Sequence, residues 1–299
     1  MIQKNNILPF FYKILLTENI RLKVEKIILN VALFSFFVHL AVIYLKKFDI
    51  FFVDLNSELL DSPISAIYTP FSFILIYEVY LLIYYLPRSF TTYITKQYEI
   101  ITLIIIRKLF KDLSSLEFTT NWFEVKGDLQ FTYDLLASLI LFFLIYQFQK
   151  LGNRKFTQKN EIKHDIDRFI VKKRLIAVIL MPIFFGMALH TLVNWFSGIS
   201  IPSNTLPTFE SINNLFFDQF FTALILVDVV LLLISFFYTD QFHKIIRNSG
   251  FIISTILIRM SFGVSGLIST ILILVAVLFG LTIIWIHNKY EVDNLVKKT

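Results

Sequence analysis

The sequence predicts an all-α protein: a polytopic transmembrane helical bundle of eight spans, built as two parallel repeats of four helices. Three observations predict it. The chain is 56% hydrophobic with only 17% charged residues and a mean hydropathy of +0.70, a balance that a water-soluble domain does not show. Several apolar runs approach or exceed the about 20 helical residues that cross a hydrocarbon core of roughly 30 Å. Finally, the chain repeats itself. Glu99–Phe110 (EIITLIIIRKLF) returns as Phe251–Phe262 (FIISTILIRMSF), with six of twelve positions identical.

In chain order, residues 1–26 form an N-terminal segment in which aromatic and aliphatic residues mix with Lys and Arg. Its part Ile7–Lys26 reads either as an interfacial amphipathic helix or as a plain cytoplasmic extension. Six long apolar runs follow, at Ile27–Leu45, Ile64–Leu86, Phe131–Phe148, Leu175–Phe196, Phe217–Phe237 and Leu267–Ile286. Two shorter runs, Tyr98–Phe110 and Phe251–Phe262, carry charges, and the repeat assigns both the same fate. The expected organisation is therefore a first membrane unit over 27–149, a basic cytoplasmic linker over 150–174, a second unit over 175–290, and a tail over 291–299. Pro70 and Pro182 fall inside two of the runs, where bundles tolerate a kink once neighbours satisfy the freed carbonyls. Gly263-Val264-Ser265-Gly266 reads as the tight turn between the last two spans.

Charge distribution orients these spans. With all eight runs crossing, 21 of the 28 basic residues fall on the side that holds both termini, and the opposite loops are acidic, as at Asp49, Asp54, Glu58 and Asp61. Basic residues stay cytoplasmic, so both termini are expected inside. A six-span arrangement, with Tyr98–Phe110 and Phe251–Phe262 lying flat or re-entrant, also leaves both ends inside. It would strand the Arg107–Lys111 cluster and give Phe251–Met260 no hydrocarbon to occupy. Four spans per copy relate the repeats by an axis along the membrane normal. The linker (KLGNRKFTQKNEIKHDIDRFIVKKR) is expected to lie along anionic inner-leaflet lipids, each basic residue contributing about 1 kcal/mol near the surface.

The repeat also carries ionisable groups. His39, Glu78 and Arg107 in the first copy match His190, Asp228 and Arg259 in the second at offsets of 151, 150 and 152 residues. Counting along the runs puts all six at a similar depth, some 13–18 Å from the cytoplasmic ends at 1.5 Å per residue. An isolated charge there costs roughly 2.5–3.5 kcal/mol or more, so the acids and arginines should turn inward and pair, Glu78 with Arg107 and Asp228 with Arg259. Each histidine can join the same network. Two functions follow. One is an ion, proton or small-solute transporter or channel with these clusters as its polar centres. The other is a non-conducting, stress-associated scaffold, signalling or interaction protein in which they are staples between helices.

Over Val227–Phe262 an acid in an apolar run is followed by Phe242-His243 and then by a run ending in Ile258-Arg259, and Ile271–Lys289 supplies a last apolar stretch. In these residues the second copy resembles the four-span bacterial membrane proteins called phosphate-starvation-inducible E. The first copy matches through Glu78, Ser89-Phe90 and Ile106-Arg107 and lacks the Phe-His pair. The resemblance implies a tandem duplication, a multi-pass location in the bacterial inner (plasma) membrane and a stress association, with no established chemistry.

Other signals are weaker. No cysteine is present, which excludes disulfides, thiolate chemistry and cysteine-ligated metals. His164-Asp165-Ile166-Asp167 reads as part of a solvated charged loop, and Asp134 and Asp218 as solvated helix N-termini. Spans four and eight carry no arginine, which argues against voltage sensing. No nucleotide-binding, zinc-protease or dinucleotide fingerprint occurs and no acid–base–nucleophile set is visible, so neither an enzyme, a cofactor nor a metal is expected. The +6 net charge sits in loops and is a topology signal, so nucleic acid is not an expected partner. The expected partners are the bilayer and its anionic lipids, with a homo-oligomer and an ion or small solute left open.

Overall fold

The computed structural model describes residues 7–48, 63–114, 126–154, 163–199, 209–238, 241–264 and 266–296. Among the described residues the regular structure is entirely helical. In order come α1 (Ile7–Leu15), α2 (Glu18–Lys47), α3 (Tyr68–Tyr85) after a 3-10 turn at Pro63–Ile67, α4 (Phe90–Ser114), α5 (Lys126–Gly152), α6 (Lys163–Ile199), α7 (Phe209–Phe236), α8 (Phe242–Phe262) and α9 (Leu267–Val296). The eight apolar runs of the sequence fall one to a helix in α2–α9, the second beginning in the 3-10 turn. The acidic stretch Asp49–Asp61, Trp122 and Lys297-Lys298 lie outside the described residues.

Among the described residues four segments are long and apolar enough to cross a membrane: Phe10–Lys47, Leu129–Gly152, Phe242–Phe262 and Leu267–Asn294, with Thr69–Tyr85 and Phe220–Phe236 as shorter apolar helices. Their outward faces are apolar. On α5, Leu136, Leu139, Ile140 and Phe143 are exposed at the i, i+3, i+4, i+7 spacing of one helix face, while Ala137, Leu141, Leu144 and Phe148 are buried. On α2, Leu33, Phe34 and Phe37 are likewise uncovered. Apolar surface on this scale is unfavourable in water and suits hydrocarbon.

Three expectations change. The segment Ile7–Lys26 is not one helix. Thr17 adopts an extended conformation and its hydroxyl donates to the Lys13 carbonyl, which ends α1 before α2 begins. Pro70 is the third residue of α3, in the first turn, where a missing N–H breaks no helical bond. The basic stretch 150–174 is not a continuous loop, since α5 runs on to Gly152 and α6 starts at Lys163. Residues 161–174 contain no proline or glycine to stop a helix. His164–Asp167 therefore have helical backbone, and residues 155–162 lie outside the described residues.

The chain divides into two compact units that cut across the sequence repeat. Unit 1 comprises Met1–Leu81 with Ile101–Leu136, and unit 2 comprises Leu82–Ile100 with Ala137–Thr299. In unit 1, α3 is tied to α2 through Tyr77, which donates to Glu25 at 2.7 Å, and to α1 through Tyr80, which donates to the Leu15 carbonyl at 3.0 Å. In unit 2, α8 and α9 pack along an extensive interface, joined at Gly263, where α8 is capped, and Gly266, whose φ of 72° glycine adopts without strain. Its core holds Tyr98, Phe148 and Phe251, all fully buried, with Tyr98 edge-on to Phe148 at 5.0 Å and Phe148 tilted against Phe251 at 5.4 Å between ring centroids. Small residues bring the helices close, as apolar surroundings favour. A Cβ at Gly152 would sit 2.6 Å from Thr91, and one at Gly250 would sit 2.8 Å from Ile283.

Candidate functional site

In unit 1 the helical offset between Arg107 and Lys108 sends two successive cations from α4 to different neighbours. Arg107 Nη2 donates to Glu78 Oε2 on α3 at 2.5 Å, and Nη1 donates to the Phe71 carbonyl at 3.3 Å. Lys108 pairs at 2.7 Å with Asp134 on α5, which also accepts from Gln130. Glu78 and Asp134 are 2% and 1% exposed, so both acids are removed from solvent and each contacts a cation. Asp134 is thus not a solvated helix end, because Lys108 supplies the countercharge that makes its burial tolerable. His39 bonds Thr69 Oγ1 at 2.5 Å, tying α2 to the start of α3.

The second copy is arranged differently. Asp228 does not pair with Arg259. Its Oδ2 accepts from Gln97 Nε2 of α4 at 3.2 Å, the Tyr93 hydroxyl lies beside the same carboxylate, and the Lys173 ammonium is within electrostatic reach. Arg259 instead donates to Thr222 Oγ1 through Nε and Nη2 at 3.4 and 3.3 Å. Thr222 precedes Asp228 by six residues, about 9 Å along α7. Arg259 and Asp228 therefore stand at different levels of the α7–α8 pair, although their sequence spacing nearly copies that of Glu78 and Arg107. His190 is exposed on α6 and is not among the hydrogen-bond partners of Asp228. Asp218 has a helical backbone, and its side chain lies outside the described residues.

Lys173, part of the basic linker expected along the anionic leaflet, is 1% exposed. Its ammonium donates to the Arg88 carbonyl at 2.9 Å and sits 4.2 Å from the Phe90 ring centroid and 5.2 Å from that of Phe169. A carbonyl and two aromatic faces take the place of water around that charge.

A polar cluster that sequence reasoning missed gathers where α8 begins and α9 runs past its apolar stretch. Phe242-His243 stands out in the sequence only as a mark of family resemblance, and His287 and Glu291 do not stand out at all. His287 and Glu291 lie four apart on one face of α9, directly beyond Leu267–Ile286, and that spacing was the available signal. His243 Nε2 lies 2.9 Å from Glu291 Oε1, and the two imidazoles stack at 5.2 Å. Arg247 Nη1 lies 3.1 Å from His287 Nε2, and its Nε and Nη2 donate to Asn248. A guanidinium only donates, so His287 Nε2 is the acceptor and its proton is on Nδ1, a buried atom with no partner among the described residues. Beside the cluster is a pocket of about 280 Å³, lined among others by Arg154, Lys244, Arg247, His287, Asn288 and Glu291.

His243, His287 and Glu291 each offer a ligand atom within 4.8 Å of the others, close enough to share a divalent cation. Two features oppose that use: Arg247 occupies the His287 Nε2 lone pair, and cations dominate the adjoining pocket. Comparison with protein-family models, with characterised proteins and with solved structures finds no match for this chain.

Proposed function

We propose that this chain is a non-conducting integral membrane protein of the scaffold, signalling or interaction class, in which the buried acid–base contacts hold helices together. The carrying observation is the direct Glu78–Arg107 contact, in which the guanidinium also holds the Phe71 carbonyl. A relay built twice would pair its acid and arginine twice, and Asp228 and Arg259 stand apart. The proposed topology is eight spans with both termini cytoplasmic, in the bacterial inner (plasma) membrane, with two four-helix repeats resembling phosphate-starvation-inducible E. Support for it comes from the charge distribution of the loops and from the one-to-one match between apolar runs and helices.

The transporter reading keeps one observation in its favour. Asp228 Oδ1 and Glu78 Oε1 are buried with no hydrogen-bond partner among the described residues, as an ion- or proton-binding carboxylate would be. Reconstituted vesicles decide between the two. The scaffold reading expects no flux of H⁺, K⁺, Na⁺ or phosphate above protein-free vesicles, and a loss of folded protein on Glu78→Gln. Flux in the wild type that vanishes in a well-folded Glu78→Gln, Asp228→Asn double variant would replace it with a transporter.

A further inference from the structure

We propose that the polar pocket of unit 2 binds a phosphate-type oxyanion, free in solution or carried on a lipid headgroup. The inference stands on the geometry of that pocket and is independent of whether the protein conducts.

Charge is the first argument. Arg154, Lys244 and Arg247 line the pocket against a single carboxylate, Glu291. That carboxylate is already engaged, since His243 Nε2 lies 2.9 Å from it. It also acts on Lys244 and Arg247, so one negative charge is shared among three cations.

The way the cations are used is the second argument. Arg247 is part-buried, yet the acceptors it holds are the neutral Asn248 Oδ1 and His287 Nε2. Its hydrogen bonds go to neutral atoms and the Glu291 charge that acts on it is shared with Lys244, so desolvation cost remains that an anion within reach would offset. Arg154, exposed at the end of α5, makes no ion pair among the described residues. The pocket thus collects two guanidinium groups and an ammonium around a space with one carboxylate.

Shape is the third. The Asn288 amide donates to the Leu151 carbonyl at 2.9 Å, and Gly152 lets Thr91 approach to a distance that any Cβ would block. These contacts fix the ends of α5 and α9 around the opening, so the donors are held in place before a ligand arrives. Guanidinium forks match tetrahedral phosphate oxygens, whereas three cations repel the divalent metal that the two histidines would otherwise suit.

The test uses the full chain, purified and delipidated in a neutral detergent, with thermal unfolding followed at constant ionic strength. Inorganic phosphate is titrated against chloride in one arm. In the other, nanodiscs of phosphatidylcholine are compared with nanodiscs that also contain phosphatidylglycerol. Binding to the folded state raises the melting temperature. Arg247→Gln and Arg154→Gln should each weaken the response by about tenfold or more, the scale of one charge-assisted hydrogen bond. Arg154 is exposed, so its variant remains informative if Arg247→Gln fails to fold. Stabilisation by inorganic phosphate identifies a soluble anion, and stabilisation by phosphatidylglycerol alone identifies a headgroup. The proposal is overturned if neither shifts melting beyond its control, or if Arg154→Gln responds like the wild type.

Discussion

Tyr98 on α4 and Ser254 on α8 share a 2.7 Å hydrogen bond, and both residues are fully buried. Ser254 Oγ donates onward to the Ala276 carbonyl of α9 at 2.6 Å, which leaves the tyrosine as the donor of the first bond. One short relay of hydroxyls therefore joins three helices of unit 2. Gly280 admits it, because a Cβ there would lie 1.9 Å from the Tyr98 hydroxyl.

Gly280→Ala should accordingly push Tyr98 out of its seat and cost about 1–3 kcal/mol, the usual scale of overpacking. Tyr98→Phe removes the clashing oxygen and should cost less, about 0.5–1.5 kcal/mol for one hydrogen bond. The double variant should melt above Gly280→Ala alone, since deleting the oxygen relieves most of the clash. Thermal unfolding in detergent measures all three. A double variant no better than Gly280→Ala would show that the glycine serves some other contact.

The Glu78–Arg107 pair makes a different prediction, because its two charges need each other. Replacing either partner alone by methionine leaves a charge buried without its counterion, at about 3–5 kcal/mol. Replacing both removes the uncompensated charge, so Glu78→Met with Arg107→Met should be milder than either single change. Chemical denaturation of the three variants checks the order. A double variant that loses the sum of the two single losses would mean that the two charges do not act on each other.

Helices were legible in the sequence where apolar periodicity ran unbroken, and the eight runs reappear in α2–α9. Partners across the bundle were less legible. The twelve-residue repeat implied that Arg259 would meet Asp228 as Arg107 meets Glu78. Spacing within one helical hairpin fixes neither its register nor which third helix arrives. Asp228 found Gln97, 131 positions away, and Arg259 found Thr222. Lys173 stands among basic neighbours in a stretch expected along anionic lipid, whereas its neighbours in space are Phe90, Phe169 and the Arg88 carbonyl. The His243–His287–Glu291 cluster needed only the i, i+4 pair on α9 to be noticed. Its third member comes from another helix, which no local pattern shows.

Lys173 and Asp228 supply the third prediction. The ammonium is buried within electrostatic reach of the carboxylate, so the two substitutions should not add. Lys173→Met leaves the Arg88 carbonyl without its donor, at about 1–3 kcal/mol for a buried acceptor. In that background Asp228→Asn should cost less than it does alone, with a coupling of about 0.5–3 kcal/mol. Strict additivity in the cycle would show that the Lys173 charge does not act on Asp228.

The number of spans can be read chemically, since the chain has no cysteine of its own. Phe237, 84% exposed after α7, and Val264, 39% exposed after α8, flank the helix whose crossing separates eight spans from six. If α8 crosses, single cysteines at these two positions lie on opposite sides of the membrane. An impermeant maleimide applied to sealed cells should then label Phe237→Cys only after permeabilisation and Val264→Cys before it. If α8 lies flat, both cysteines sit outside and label without permeabilisation. The buried polar side of α8 argues for crossing within a bundle, because Asn248, Ser254, Thr255 and Ser261 are all covered by neighbouring helices while Ile253 and Met260 are exposed. A helix lying flat at the interface would turn those polar residues toward water and its apolar side into the bilayer.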